Sequence, residues 1–185
     1  MTANQTISGR ASFDLRSAFL GLGFALLAFL PTAPVQAAQV DIVVTIQQQS
    51  SGRFLDAWDD GTNDWFVVTR PAQNNSSQEW LIRWDPDGTA SGTIQQVSTG
   101  RFLDAHEIES LDFHLLTRTQ QEGDATQKWL INSIGGGYYN IVQSSNGRFM
   151  DAHEIADRDY GVVSRPGGQT DKTQNWKVKF IRYAD

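Results

Sequence analysis

The chain has 185 residues, 39% of them hydrophobic, a formal net charge of −6 and no cysteine. That length allows one domain with a real core, and an acidic balance without a basic run excludes nucleic acid and anionic lipid as partners. Without cysteine there is no disulfide, no thiol catalysis and no thiolate metal site.

At the N-terminus, Arg10 and Arg16 precede an uninterrupted apolar run from Ala18 to Leu30. Pro31 and Pro34 break it, and Val35-Gln36-Ala37 places small or modest side chains where a signal peptidase reads. This is the layout of a secretory signal peptide over residues 1–37, cleaved after Ala37. A membrane anchor is the alternative, but the run reaches only about 20 Å against a hydrocarbon core of ~30 Å. The expectation is a secreted or periplasmic protein with a single domain over residues 38–185. Loss of Arg10, Asp14 and Arg16 takes its charge from −6 to −7. No later segment reads as a membrane span.

The remainder repeats itself. Three segments, about 45–84, 93–131 and 139–182, align in register. Gly52, Gly100 and Gly147 are 48 and 47 residues apart, as are Asp56, Asp104 and Asp151, and Arg70, Arg118 and Arg165. Apolar residues alternate or cluster in short runs rich in Val, Ile, Phe and Trp, such as Ile42–Ile46 and Trp65–Val68. Ser-Gly, Asn-Gly, Asp-Gly and Pro-Gly pairs separate the runs. That pattern predicts strands and hairpins, roughly four short strands per repeat and about 12 in all. Three such units are too few to close a propeller. They favour an all-β, threefold pseudo-symmetric barrel, the β-trefoil, whose closure leaves no open strand edge.

Each repeat opens on Gly-Arg-Phe-(Leu/Met)-Asp-Ala and closes on a Gln-x-Trp triplet: Gln78-Glu79-Trp80, Gln127-Lys128-Trp129 and Gln174-Asn175-Trp176. In this the chain resembles the ricin B-type β-trefoil lectins over residues 42–182. The resemblance implies that Trp80, Trp129 and Trp176 are core residues. It also implies that Gln78, Gln127 and Gln174 satisfy buried backbone groups. It further implies a carbohydrate site in which the front Asp takes sugar hydroxyls. A later strand would carry a polar residue and a stacking aromatic, and an Asn would precede the triplet. The front Asp is present three times, as Asp56, Asp104 and Asp151. The rest departs. The polar position holds Val68, Leu116 and Val163, the stacking position Arg70, Arg118 and Arg165, and the Asn position Ser77, Thr126 and Thr173.

Two readings of the Asp–Arg coincidence stand side by side. One is an ion pair bracing each repeat, Asp56–Arg70, Asp104–Arg118 and Asp151–Arg165, since a planar guanidinium matches a carboxylate at two points. The other is a shifted polar pocket. Asp104-Ala105-His106-Glu107 and Asp151-Ala152-His153-Glu154 set an imidazole and a second carboxylate beside the front Asp. The aromatics Trp65, Phe113 and Tyr160 follow each front Asp by nine residues. In the pocket reading, His106 and His153 donate, Glu107 and Glu154 accept, and Phe113 and Tyr160 face an apolar sugar ring. Arg118 and Arg165 orient the Asp or bind ligand oxygens. The second and third repeats are then the expected pair of sites, each weak and acting by avidity.

Catalysis is not expected: there is no nucleophile elbow, no His-Glu-x-x-His, and no pair of carboxylates placed across a cleft. No metal or other cofactor is expected, because each repeat offers one His-Glu pair where a metal wants three or four ligands. The expected partners are glycans, free or on a cell surface, and the default state is a monomer. The alternative is a protein-interaction module, such as an adhesin, inhibitor or toxin partner, with degenerate sugar sites.

Overall fold

A computed structural model describes residues 40–184; the proposed leader and its cleavage point lie outside them. The described chain forms 12 strands in three similar sets of four. The first set is β1 (Ile42–Gln48), β2 (Phe54–Ala57), β3 (Val67–Arg70) and β4 (Trp80–Trp84). The second is β5 (Ser91–Gln96), β6 (Phe102–Ala105), β7 (Leu115–Arg118) and β8 (Trp129–Gly135). The third is β9 (Tyr138–Gln143), β10 (Phe149–Ala152), β11 (Val162–Arg165) and β12 (Trp176–Tyr183). The fold is the expected β-trefoil.

The first and last strands of each set build the barrel. β1 pairs with β4, β4 with β5, β5 with β8, β8 with β9, β9 with β12, and β12 returns to β1, all antiparallel. Every wall strand therefore has two neighbours. The middle strands make three hairpins, β2–β3, β6–β7 and β10–β11, which meet over one end of the barrel. Alternation selects the inward face: Val44 and Ile46 of β1, Ile82 of β4, Ile94 of β5, Ile131 of β8 and Ile141 of β9 are buried in one cluster. The residues between them mix polar side chains such as Thr45, Arg83, Thr93, Gln95 and Asn132 with apolar ones such as Val43, Leu81, Leu130 and Val142.

The three tryptophans complete the core. Trp80, Trp129 and Trp176 are fully buried, and each indole N–H donates to a carbonyl two strands away, Leu55, Leu103 and Met150, at 3.0, 3.1 and 2.9 Å. A buried indole must place its one donor. The turn after β1, β5 and β9 repeats as well: Gly52, Gly100 and Gly147 adopt φ of 70°, 67° and 72°, and their N–H groups return to Gln48, Gln96 and Gln143. A left-handed residue in this turn explains why glycine recurs there.

One position breaks the threefold economy. Gln48 and Gln96 are buried, and their amide oxygens accept from the hydroxyls of Ser51 (2.6 Å) and Thr99 (2.7 Å). The third set carries Asn146 there, and the buried Oε1 of Gln143 has no hydrogen-bond partner. Asn146 still accepts from the Arg148 N–H, as Thr99 does from Arg101. Asn146→Thr is therefore expected to stabilise the protein by about 1 kcal/mol, the cost of one orphaned buried acceptor. Urea unfolding measures it, and an unchanged or lower midpoint would contradict the assignment.

Candidate functional site

The front aspartates sit near the ends of β2, β6 and β10, paired across their hairpins with Val68, Leu116 and Val163. All three are buried, Asp104 completely. One oxygen of each accepts from the next backbone N–H, of Ala57, Ala105 or Ala152, at 2.7–2.8 Å. The other accepts from the triplet glutamine: Gln78 at 3.2 Å, Gln127 at 3.1 Å and Gln174 at 3.2 Å. The same amides also donate to the carbonyls of Pro71, Thr119 and Pro166. The glutamines thus do what was expected of them for the backbone and also clamp the carboxylate. Burial raises the Asp151 carboxyl above the ordinary range, opposed by hydrogen bonds from Thr173, Ala152 and Gln174.

The Arg side chains do not close on the Asp of their own repeat as a general rule. Only Arg118 faces its own aspartate, Asp104, and at 3.8 Å it is an ion pair without a hydrogen bond. Arg70 crosses to Asp159 of the third set at 3.4 Å. Arg165 crosses to Asp112 of the second set in a two-point contact of 2.6 and 3.2 Å. The bracing pairs Asp56–Arg70 and Asp151–Arg165 are therefore corrected: these arginines join neighbouring lobes. Each front carboxylate already accepts from an amide and a backbone N–H. The crossing arginines find the less committed acids on the adjacent lobe.

Those acids occupy an unusual turn. Asp64-Trp65, Asp112-Phe113 and Asp159-Tyr160 are consecutive left-handed residues, with φ between 48° and 57°. An Asp tolerates this conformation, but a bulky aromatic rarely adopts it. Contacts from the next lobe hold it in place. The carbonyls of Trp65, Phe113 and Tyr160 accept from the N–H groups of Thr117, Ser164 and Thr69 at 2.9–3.0 Å. A guanidinium from the next lobe's Gly-Arg-Phe segment lies over each ring: Arg101 over Trp65 at 3.9 Å, Arg148 over Phe113 at 3.7 Å and Arg53 over Tyr160 at 3.6 Å. The same arginines donate to Thr117, Ser164 and Thr69. Phe113 and Tyr160 thus serve as stacking partners for arginine, not as open platforms for a sugar. The arginines Arg53, Arg101 and Arg148 went unassigned in the sequence, although their triplicate occurrence beside the repeated glycine marked them.

The residue two after each front Asp joins the same ring of contacts. Trp58 donates to Asp159 at 3.0 Å, and His153 Nε2 lies 2.8 Å from Asp112. His106 lies 3.9 Å from Asp64 and 3.3 Å from Arg118. Asp112 gathers most, with Arg158 at 2.9 Å in addition to Arg165 and His153. Hydrogen bonds from Arg165 first, then His153, hold the Asp112 carboxyl well below the usual carboxylate range. Glu107 also crosses lobes, accepting from Gln143, Ser145 and Asn146 of the third set. Among the described residues, no group of three or more His, Cys, Asp or Glu could hold a metal ion.

In the third lobe an open cleft reaches the front aspartate. This cleft, of about 290 Å³, is walled by Asp151, His153, Glu154, Arg165, Gln169 and Thr173, with Val163 behind them. Glu154 is exposed there. Asp171 shares the rim and accepts from Thr173 at 2.8 Å. Gln169 and Asp171 had no assigned role in the sequence, although Asp171 repeats Asn75 and Asp124, each three residues before its triplet glutamine and each accepting from the hydroxyl two residues on.

A barrel capped by three hairpins, with a clamped aspartate at the mouth of each lobe, is the architecture of a β-trefoil lectin-like domain. The sequence matches the family described as "Ricin-type beta-trefoil lectin domain-like" over residues 35–112 and 83–163, and the chain belongs to it. No curated protein sequence matches the chain. Among solved structures, a designed threefold-symmetric protein, ThreeFoil, superposes with a TM-score of 0.65 at 20% identity, covering 75% of this chain and 99% of that one. The Polyporus squamosus lectin, solved with the epitope Neu5Aca2-6Galb1-4GlcNAc, gives 0.63 at 19% identity, covering 76% and 49%. An exo-β-1,3-galactanase from Clostridium thermocellum gives 0.62 at 23% identity, covering 76% of this chain and only 30% of the enzyme. At these identities the likeness is one of fold. No helix among the described residues is long and apolar enough to cross a membrane.

The contacts on Asp112 carry a pH signature. A carboxyl held low in the folded state stabilises the fold at pH values above its unfolded value of ~4. That contribution is lost as pH falls below ~4 toward the folded value. Asp112→Asn should therefore cost about 1–2 kcal/mol at neutral pH and show a shallower loss of stability in acid. Thermal or urea unfolding from neutral to acid pH checks it. Parallel curves for the two proteins would contradict the role given to Asp112.

Proposed function

We propose that this protein is a non-catalytic glycan-binding module that works outside the cytoplasm and engages saccharides through the third-lobe cleft. The observation that carries this reading is the cleft itself. A buried carboxylate, Asp151, forms one wall, Glu154 and Gln169 supply exposed polar groups around it, and half-buried Thr173 ties Gln169 to Asp171 on the rim. Saccharide hydroxyls are recognised by such convergent polar groups. Membership in a lectin-like family supports the reading, as does the glycan-bound state of one structural neighbour. The leader-like residues 1–37 support export. The second lobe is a weaker candidate than the sequence suggested, because Glu107 is committed to the third lobe's turn.

Without an aromatic platform, binding rests on hydrogen bonds and is weak per site, with millimolar dissociation constants of about 4 kcal/mol in free energy. The matching family is one of lectin-like domains, which supports binding of the sugar without its hydrolysis. A protein-interaction role is the second reading, favoured by the arginine-covered rings of Phe113 and Tyr160.

A glycan panel screened with the chain from residue 38 onward tests the proposal. Capture should be competed by free sugar, and Glu154→Ala combined with Gln169→Ala should weaken it about tenfold while the fold is retained. Capture that excess sugar does not compete, or that ignores both substitutions, would overturn the reading in favour of a protein partner.

A further inference from the structure

A second cleft, of about 360 Å³, lies on the outer wall of the barrel where the third set meets the first. Its lining includes Thr45, Gln47, Phe54, Gln73, Lys177 and Lys179. Cross-strand register explains the grouping. Thr45 lies opposite Lys179, and Gln47 lies opposite Lys177, while Phe54 lies opposite Gln47 on its other side. Lys177 and Lys179 are two apart on β12, so both point outward, about 7 Å from each other along the strand.

The lysines are anomalous in three respects. The chain has four lysines in all, Lys128, Lys172, Lys177 and Lys179, and two of them share this cleft of an acidic protein. Lys128 pairs with Asp85, whereas neither Lys177 nor Lys179 has an ion-pair partner among the described residues. The other two lobe boundaries do not repeat them. Opposite Gln95 and Thr93 stand Leu81 and Arg83, and opposite Val142 and Asn140 stand Leu130 and Asn132. Lysine often guards an exposed strand edge; Lys177 lies where β12 is paired on both sides, and Lys179 where it is paired with β1 alone.

Two uncompensated ammonium groups, an aromatic ring and two carboxamides around one cleft are the parts needed to hold an anionic sugar. The ammoniums take its charge and Phe54 takes an apolar ring face. Gln47 spends its amide N–H on the Gly52 carbonyl at 2.8 Å, which leaves its oxygen for a hydroxyl. We infer that this wall cleft is a second saccharide site, selective for acidic saccharides bearing carboxylate or sulfate, and separate from the third-lobe cleft. The inference rests on the reading of the protein as a glycan-binding module.

The probes are a sulfated hexasaccharide, a uronate hexasaccharide without sulfate, a neutral hexasaccharide and inorganic sulfate, each titrated into the isotope-labelled protein and followed by amide chemical shifts. Either acidic oligosaccharide should move residues 45–54, 73 and 177–179, more weakly as salt is raised. The two acidic arms tell sulfate from carboxylate. Lys177→Leu with Lys179→Asn installs residues that β8 already carries at the matching positions, so the barrel tolerates them. That double variant should bind the acidic probes at least about tenfold more weakly, the scale expected for losing two charge contacts. The Glu154→Ala, Gln169→Ala variant should bind them as the unaltered protein does. Equal affinity of the lysine variant, an equal response to the neutral probe, or a response to inorganic sulfate alone would overturn the site. Loss of neutral-glycan binding in the third lobe with the acidic response intact would count against the third-lobe reading alone.

Discussion

The clamp between each Gln-x-Trp glutamine and the front aspartate of the same lobe is the contact on which both fold and site depend. A carboxylate taken out of water costs several kcal/mol unless its lone pairs are filled. Here the backbone N–H engages one oxygen and the glutamine amide the other in every lobe. The tryptophan two residues later anchors the same triplet by donating to the strand that carries the aspartate's neighbour, at Leu55, Leu103 or Met150. One short motif thus seals the core and sets the position of the carboxylate beside any ligand cleft.

Around that clamp, the lobes are joined by a cyclic set of polar contacts. Each lobe sends an arginine over the left-handed aromatic of the preceding lobe, and a Trp or His toward the aspartate before it. Residues that resembled a sugar pocket in the sequence are largely consumed here. The family's stacking position is arginine because, at Arg70 and Arg165, that side chain is a lobe-to-lobe tie. Without cysteine, these ties and the buried tryptophans are what hold three lobes as one body.

Much of this was legible in the sequence. The shared register of Gly, Asp and Arg across three segments, each closed by a Trp, specified the threefold barrel, and the alternation of Val and Ile specified its inward faces. Burial of the tryptophans was what the resemblance to the Gln-x-Trp lectins implied. What could not be read was which lobe a side chain reaches. A repeat shows spacing within itself, so Asp151 and Arg165 looked like partners, whereas the third lobe's arginine in fact reaches back to Asp112. The left-handed turns at Asp64, Asp112 and Asp159 were equally hidden, because no glycine marks them and the strain is offset by tertiary contacts. The two lysines of β12 left no trace in the repeat because they are where it is broken.

The central claim is tested most directly by removing the three glutamine amides one at a time. Gln78→Ala, Gln127→Ala and Gln174→Ala should each lower the unfolding free energy by about 2–3 kcal/mol in urea, since each strands a buried carboxylate. Three variants as stable as the unaltered protein would contradict it.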